Sequence, residues 1–444
     1  MKRFFFIPAL FLWPVQALFA QGLTPSNGYL PHENRAPWRT EFVSYDIRHE
    51  ADAEMLEGSK YFRSLGFSRV RENIYETTLE IPGLWLDRNI YIRDTGRTGR
   101  YRLSVNGRTV GYNTDSYGGG EFLVTPYLVE GQNRLTIDML APGSAGGDME
   151  KFGPAAGRNA LSGLYLFSQP RIHIFDYTAS GHHDDEFKDD IVDLAIVVVN
   201  GFNMPERVRV GYDIWGTDGV RKDALFEEFT IPGRSADTIR LKGKVMGTEK
   251  FQYSAANPAL YRVVLSLRHG GRDIEYIPLK LGFGVTTYDG TTVSRNGQAI
   301  AVKAAEGDFP EREGTPQRLR ALRKDGFNTV AVTRPQQKWF YDLAAAQGMW
   351  VIDRAAVDCD PRGGDRTPGG TVANDPGYLP HFLDRQAAMF YRRRNYPNVI
   401  GWSTGSPSGN GYNMYKSYQL LKSLDASRPV VYGGAGGEFN TDEY

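Results

Sequence analysis

The sequence predicts a multidomain chain, all-β in its first part and α/β in its last. Three observations carry that expectation. Up to about residue 281, short runs of period two are separated by Gly, Pro and Asn turn signals. From about Val285, apolar strands alternate with stretches of helix length and helix period. Glycine is abundant, 50 of 444 residues, and aromatics make up 13%, which suits loop-rich β structure and argues against disorder.

In order, residues 1–20 have the pattern of a secretory signal. Lys2-Arg3 is followed by an apolar run from Phe4 to Leu12 broken by Pro8, then by Ala17 and Ala20 as small-residue ends before Gln21-Gly22. The run is too short to cross a bilayer, so the expectation is a bacterial protein, periplasmic or secreted, with no membrane span. Lys plus Arg equals Asp plus Glu at 52 each, which leaves no electrostatic footprint for nucleic acid. The single cysteine, Cys359, excludes an intrachain disulfide and reads as a buried or loop thiol.

Residues 23–175 read as a first β-sandwich of jelly-roll type. Val70 to Ile81, Asn89 to Arg93 and Arg134 to Leu140 are β-type runs. Asn106-Gly107 between Tyr101–Val105 and Arg108–Tyr112 is a hairpin signal. Residues 176–281 read as an immunoglobulin-like sandwich, with runs at Ile191–Val199, Arg207–Trp215 and Tyr261–Leu267. His182-His183-Asp184-Asp185-Glu186 has metal-ligand residue types but no third ligand at a closing spacing, so a charged interdomain loop is the preferred reading. Residues 282–444 carry expected strands at Ile300–Lys303, Thr329–Val332, Trp350–Ile352, Val399–Trp402 and Pro429–Tyr432. Helices are expected at Pro316–Lys324, Gln337–Gln347, Leu379–Arg393 and Tyr412–Leu424. These fit the first five strands of a (β/α)8 barrel, a partial barrel whose functional groups should gather at the C-terminal strand ends.

Several ordered segments resemble glycoside hydrolase family 2, the β-galactosidase and β-glucuronidase family. They are Val105-Asn106-Gly107-Arg108-Thr109-Val110-Gly111, Gly131-Gln132-Asn133-Arg134-Leu135, Ser162-Gly163-Leu164-Tyr165, Pro258-Ala259-Leu260-Tyr261 and Arg394-Asn395-Tyr396-Pro397-Asn398-Val399-Ile400-Gly401-Trp402-Ser403. The resemblance implies a sugar-binding jelly roll, a second sandwich and a barrel that cleaves glycosides with retention. Such cleavage needs two carboxyl groups roughly 5–5.5 Å apart. In the family the acid/base Glu ends the strand-four pattern after an Asn; here that pair is Ser406-Pro407. Proline has no ionisable side chain, and general acid/base assistance is typically worth about 10²–10⁴-fold. Strand seven, where the family places its nucleophile, would lie beyond Tyr444.

The resemblance therefore implies a non-catalytic relative that binds a glycan or serves in a glycan-processing assembly. One alternative is an active glycosidase with relocated carboxylates (Glu306, Asp308, Asp353, Glu438, Asp442 or Glu443) or a complementing chain. The other is a structural subunit of a cell-envelope complex. Candidate sugar contacts at the barrel mouth are Trp350, Trp402 and Asn410, with Glu306 and Asp308 standing where the family has Asn and His. No metal or organic cofactor is signalled, since the positions of the family's Mg²⁺ or Na⁺ ligands are among those replaced. Arg392-Arg393-Arg394 reads as a solvated helix end. A five-stranded parallel sheet has open edges, so the sandwiches, a second protein chain or self-association is expected to cover them.

Overall fold

The computed structural model describes residues 35–443, apart from 57–58, 60, 142–145, 152–159, 184–188, 247–251, 360–366 and 368. The signal segment, Asn159, Asp184-Asp185-Glu186, Tyr444 and most of the loop from Gly143 to Gly157 lie outside the described residues.

The first sandwich pairs two sheets. One orders Phe62–Ser64, Leu164–Gln169, Asn89–Asp94 and Gly120–Leu123. The other orders Ser68–Arg71, Ile74–Ile81, Gly131–Met139, Tyr101–Val105 and Arg108–Asn113. The single run expected from Val70 to Ile81 is two strands, because Asn73 turns the chain at φ 64°. The hairpin at Asn106-Gly107 forms, with both residues at positive φ (51° and 77°) as a two-residue turn requires. Alternate residues such as Tyr101, Leu103 and Val105 point into a core that holds Trp85 and Phe122.

The second sandwich packs Ile172–His183, Asp189–Asn200 and Ser235–Met246 against Arg221–Ile231, Glu206–Trp215, Tyr261–His269 and Arg272–Leu281, over its own Val/Ile/Leu core. A small antiparallel sheet (Thr286–Tyr288, Val293–Arg295, Gln298–Ala299) leads into the α/β part.

There Ala304–Gly307, Thr329–Val332, Trp350–Arg354, Val399–Ser403 and Val430–Val431 lie side by side in that order, all parallel. The helices are Thr315–Lys324, Lys338–Ala346, Leu379–Arg393 and Tyr412–Leu424. This is a partial (β/α) barrel. Strand one is displaced from its expected place at Ile300–Lys303. Ile300 donates its N–H back to Val293, and Ile300 and Val302 pack on the cluster of Tyr253, Trp350 and Ile400 beneath the sheet. The ladder therefore starts at Ala304, and Glu306 lies inside the strand.

The stretch 35–45 straps the three cores together, a feature that the sequence pattern does not announce. Arg39 pairs with Glu121 at 2.6 Å and donates to the Phe175 carbonyl, Thr40 donates to the Tyr177 carbonyl, and Tyr45 bridges to Tyr276. No helix among the described residues is long and apolar enough to cross a membrane.

Candidate carbohydrate site at the barrel mouth

The C-terminal ends of barrel strands one to three meet two loops of the first sandwich. The loop after Asp94 is built on that buried carboxylate, which accepts from the Gly96 N–H, the Thr98 hydroxyl and the Tyr101 hydroxyl at 2.8, 2.5 and 2.8 Å. Gly96 sits at φ 92°, and a Cβ there would meet the Tyr117 carbonyl oxygen at 2.4 Å. The turn so formed holds Arg97 in the left-handed region at φ 64° and projects it over the mouth.

Arg97 Nη2 donates to Asp308 Oδ1 at 2.5 Å and to Gln336 Oε1 at 3.0 Å, and Gln336 Nε2 donates to the same Asp308 oxygen at 2.9 Å. Arg334 approaches the other Asp308 oxygen at 3.4 Å and donates to the Tyr117 hydroxyl at 2.8 Å. Burial works to raise the Asp308 carboxyl, but the hydrogen bonds from Gln336 and Arg97 outweigh it and hold the group below its ordinary range. Glu306, 70% exposed, pairs with Arg354 at 3.2 Å. Asp353 is buried and accepts from the Tyr341 hydroxyl at 2.6 Å and the Arg354 N–H at 2.9 Å. Burial raises its carboxyl to about 6 against the pull of Arg393.

Strand four ends in a pinned loop. Gly405 has φ 152°, and a Cβ there would meet Val357 at 2.7 Å. The Ser406 N–H donates to the Val357 carbonyl at 2.8 Å, and the Ser408 N–H to the Tyr432 hydroxyl at 2.9 Å. Between these anchors Pro407 is exposed at the tip.

The expected aromatic platforms are elsewhere. Trp402 is fully enclosed, with its ring against Phe390 at 5.6 Å and its Nε1 donating to Asp425 at 2.9 Å. Trp350 is 4% exposed in the cluster beneath the sheet, edge-on to Tyr253. Asn410 is buried and donates to the Ala435 carbonyl at 3.0 Å. Strands of a closed α/β layer bury both faces, so a Trp within one offers no face to a sugar. Glu306 and Asp308 do lie at the mouth, each with an arginine partner. Sequence reasoning missed Arg97, Tyr117 and Gln336. Gly96 and Gly99 beside Arg97 are a turn signal that could have been read, but nothing local says what the turn would face.

Arg392-Arg393-Arg394 is no solvated helix end. Arg392 and Arg393 pair with Glu41 at 2.8 and 2.6 Å, and Arg394 with Asp176 at 2.6 Å, all largely buried. Cys359 is buried, and that burial pushes its thiol up to about 12. Among the described residues no group of three or more His, Cys, Asp or Glu side chains is placed to hold a metal.

Two family models match the chain. One, for the sugar binding domain of glycosyl hydrolases family 2, covers residues 68–151. The other, for the TIM barrel domain of the same family, covers residues 307–443. Solved structures with the same fold include a Bacteroides uniformis β-glucuronidase at 17% identity, covering 81% of this chain and 46% of that one with a TM-score of 0.67. A putative β-galactosidase from Bacteroides fragilis matches at 15% identity, 81% and 55% coverage and TM-score 0.65. A β-glycosidase from Bacteroides vulgatus matches at 18% identity, 93% and 49% coverage and TM-score 0.65. The chain spans about half the length of the structures that it matches.

Proposed function

Because the chain belongs to glycoside hydrolase family 2, we propose that it is an exported glycan-binding relative that does not itself cleave glycosidic bonds. The observation that carries the reading is Pro407 at the exposed tip of the strand-four loop, where the family pattern has its acid/base Glu. A pyrrolidine ring neither gives nor takes the proton that the leaving oxygen needs. The carboxylates at the described strand ends support the reading. Asp308 is shared by two arginines, Glu306 is paired with Arg354, and Asp353 is enclosed beneath Tyr341. The mouth offers donors for sugar hydroxyls in Arg97, held by Gln336, Arg334, held by Tyr117, and Arg354, held by Glu306. Export rests on the Lys2-Arg3 and Phe4–Leu12 pattern.

Two measurements test this. Purified protein should turn over chromogenic β-galactosides and β-glucuronides no faster than a protein-free blank. Turnover that Glu306→Gln, Asp308→Asn or Asp353→Asn abolishes would overturn the non-catalytic reading. On a glycan array the protein should retain specific glycans, and Arg97→Ala should weaken that retention. A blank array would leave a structural role in an envelope complex as the better account.

A further inference from the structure

A cavity of about 250 Å³ lies where the strap, the second sandwich and the barrel meet. Asn395 to Pro397, on its wall, lead directly into strand four, so it opens at the opposite end of the strands from the mouth. Its wall is largely apolar: Leu56 on the strap side, Leu260, Pro278 and Leu279 from the sandwich, Ala345 and Pro397 from the barrel. Phe42 and Tyr177 add ring surface, their centroids 5.6 Å apart. Ligand pockets favour such domain junctions and run to roughly 300–1,000 Å³ for drug-sized molecules. This one is slightly smaller and suits a single ring.

One patch of the wall is polar. Lys338 Nζ donates to both oxygens of Asp342 at 3.0 and 2.8 Å, and the Tyr396 hydroxyl donates to Asp342 Oδ1 at 2.8 Å. The Lys338 and Asp342 side chains are 37% and 34% exposed, so the pair is open to the space. An ammonium has three hydrogens and a carboxylate about four acceptor positions. The pair therefore keeps a hydrogen and a lone pair over, side by side. A hydroxyl, which gives one hydrogen bond and accepts another, fits both. A carboxylate would bring a second anion against Asp342, and an amine a second cation against Lys338. Of the other charged groups on the wall, Glu41 is held by Arg392 and Arg393, and Glu54 and Lys280 add one charge of each sign.

We propose that this cavity is a binding site for a small neutral phenol, its ring between the apolar walls and its hydroxyl on the Lys338–Asp342 pair. The site is separate from the mouth, and its occupant bridges strap, sandwich and barrel, so binding braces the domain junction.

The test is calorimetric titration of the full chain with p-cresol, beside toluene, p-toluate and 4-methylbenzylamine. p-Cresol should saturate at one site and raise the unfolding temperature. Toluene, which makes neither of the two hydrogen bonds, should bind at least about tenfold more weakly, each net bond being worth roughly tenfold, and the two charged analogues more weakly still. Ala345→Leu should abolish binding by filling the space. The paired change Lys338→Met with Asp342→Leu, which removes donor and acceptor together, should leave the cavity but remove the preference for cresol over toluene. Failure of p-cresol to saturate by roughly 10 mM, a limit at which binding is too weak to be specific, would overturn the proposal. So would equal binding to a folded Ala345→Leu protein, or a charged analogue binding as tightly. If Ala345→Leu does not fold, the cresol-to-toluene ratio in the paired Lys338→Met, Asp342→Leu variant decides.

Discussion

Pro407 can occupy the tip of the strand-four loop because its neighbours, not its own side chain, fix the loop. Ser408 is fully buried, and its N–H has the Tyr432 hydroxyl as acceptor at 2.9 Å; that hydroxyl in turn donates to the Gly409 carbonyl. Tyr432→Phe keeps the ring and removes both bonds, leaving a buried donor and a carbonyl unmatched. An unmatched buried polar group costs about 1–3 kcal/mol, and urea unfolding of the variant should show a loss in that range. A loss under about 0.5 kcal/mol would mean that the loop relaxes or admits water and is not pinned as described. At the same scale, Asp308 is a poor candidate for proton transfer. Hydrogen bonds from Gln336 and Arg97, with the charge of Arg334, keep it ionised far below neutrality, the opposite of what a general acid needs.

The helix Leu379–Arg393 is the element that ties the barrel to the rest. Nearly every residue in it is buried, and its polar groups point at other domains: Asp384 takes Arg35 and the Trp38 indole, Arg385 donates to the Thr114 carbonyl at 2.8 Å. At its end Arg392 and Arg393 share Glu41. Burial works to raise the Glu41 carboxyl, but the two arginines outweigh it and hold it far below the ordinary range. Removing one partner of such a group costs about 3–5 kcal/mol, the loss expected for Glu41→Gln in chemical denaturation. Because the folded carboxyl is depressed, its contribution is present above the unfolded value near 4.5 and is lost as pH falls below it. Glu41→Gln should therefore flatten the acid limb of the stability curve. An unchanged acid limb would show that the anion is not the strap's anchor. The same helix marks what was legible in the sequence. Its limits, and those of Tyr412–Leu424, follow from local period, as the Asn106-Gly107 hairpin follows from local turn chemistry. The role of its arginines was not legible, because Glu41 lies 351 residues before Arg392. Nor was the burial of Trp402, since a Trp at a strand end reads alike whether its neighbours are solvent or Phe390.

Among the described residues the main hydrophobic cores of the two sandwiches and the barrel are distinct, and buried polar contacts help to join them. One joint is a carboxylate with no cation in hydrogen-bonding contact among the described residues. Glu275, fully buried on the second sandwich, accepts from the Ser44 hydroxyl of the strap at 2.6 Å, Gln169 Nε2 of the first sandwich at 2.7 Å, and the Ile174 N–H at 2.5 Å. Burial is the largest influence and raises this carboxyl from 4.5 to about 7, despite those three donors. The folded state thus holds its proton more tightly than the unfolded chain. The stabilisation is complete below the unfolded value and is lost as pH rises through about 7. Glu275→Gln imitates the protonated form at every pH, so its stability relative to wild type should improve between pH 5 and pH 8. An effect on the order of 1–3 kcal/mol is expected from a displacement of this size. Asp353 has the same sign but is present in both proteins, so it cancels in the difference. Paired urea titrations at the two pH values measure the effect. A difference that stays constant would mean that Glu275 titrates as an ordinary carboxylate, and that the joint between strap and sandwiches is wetter than its enclosure implies.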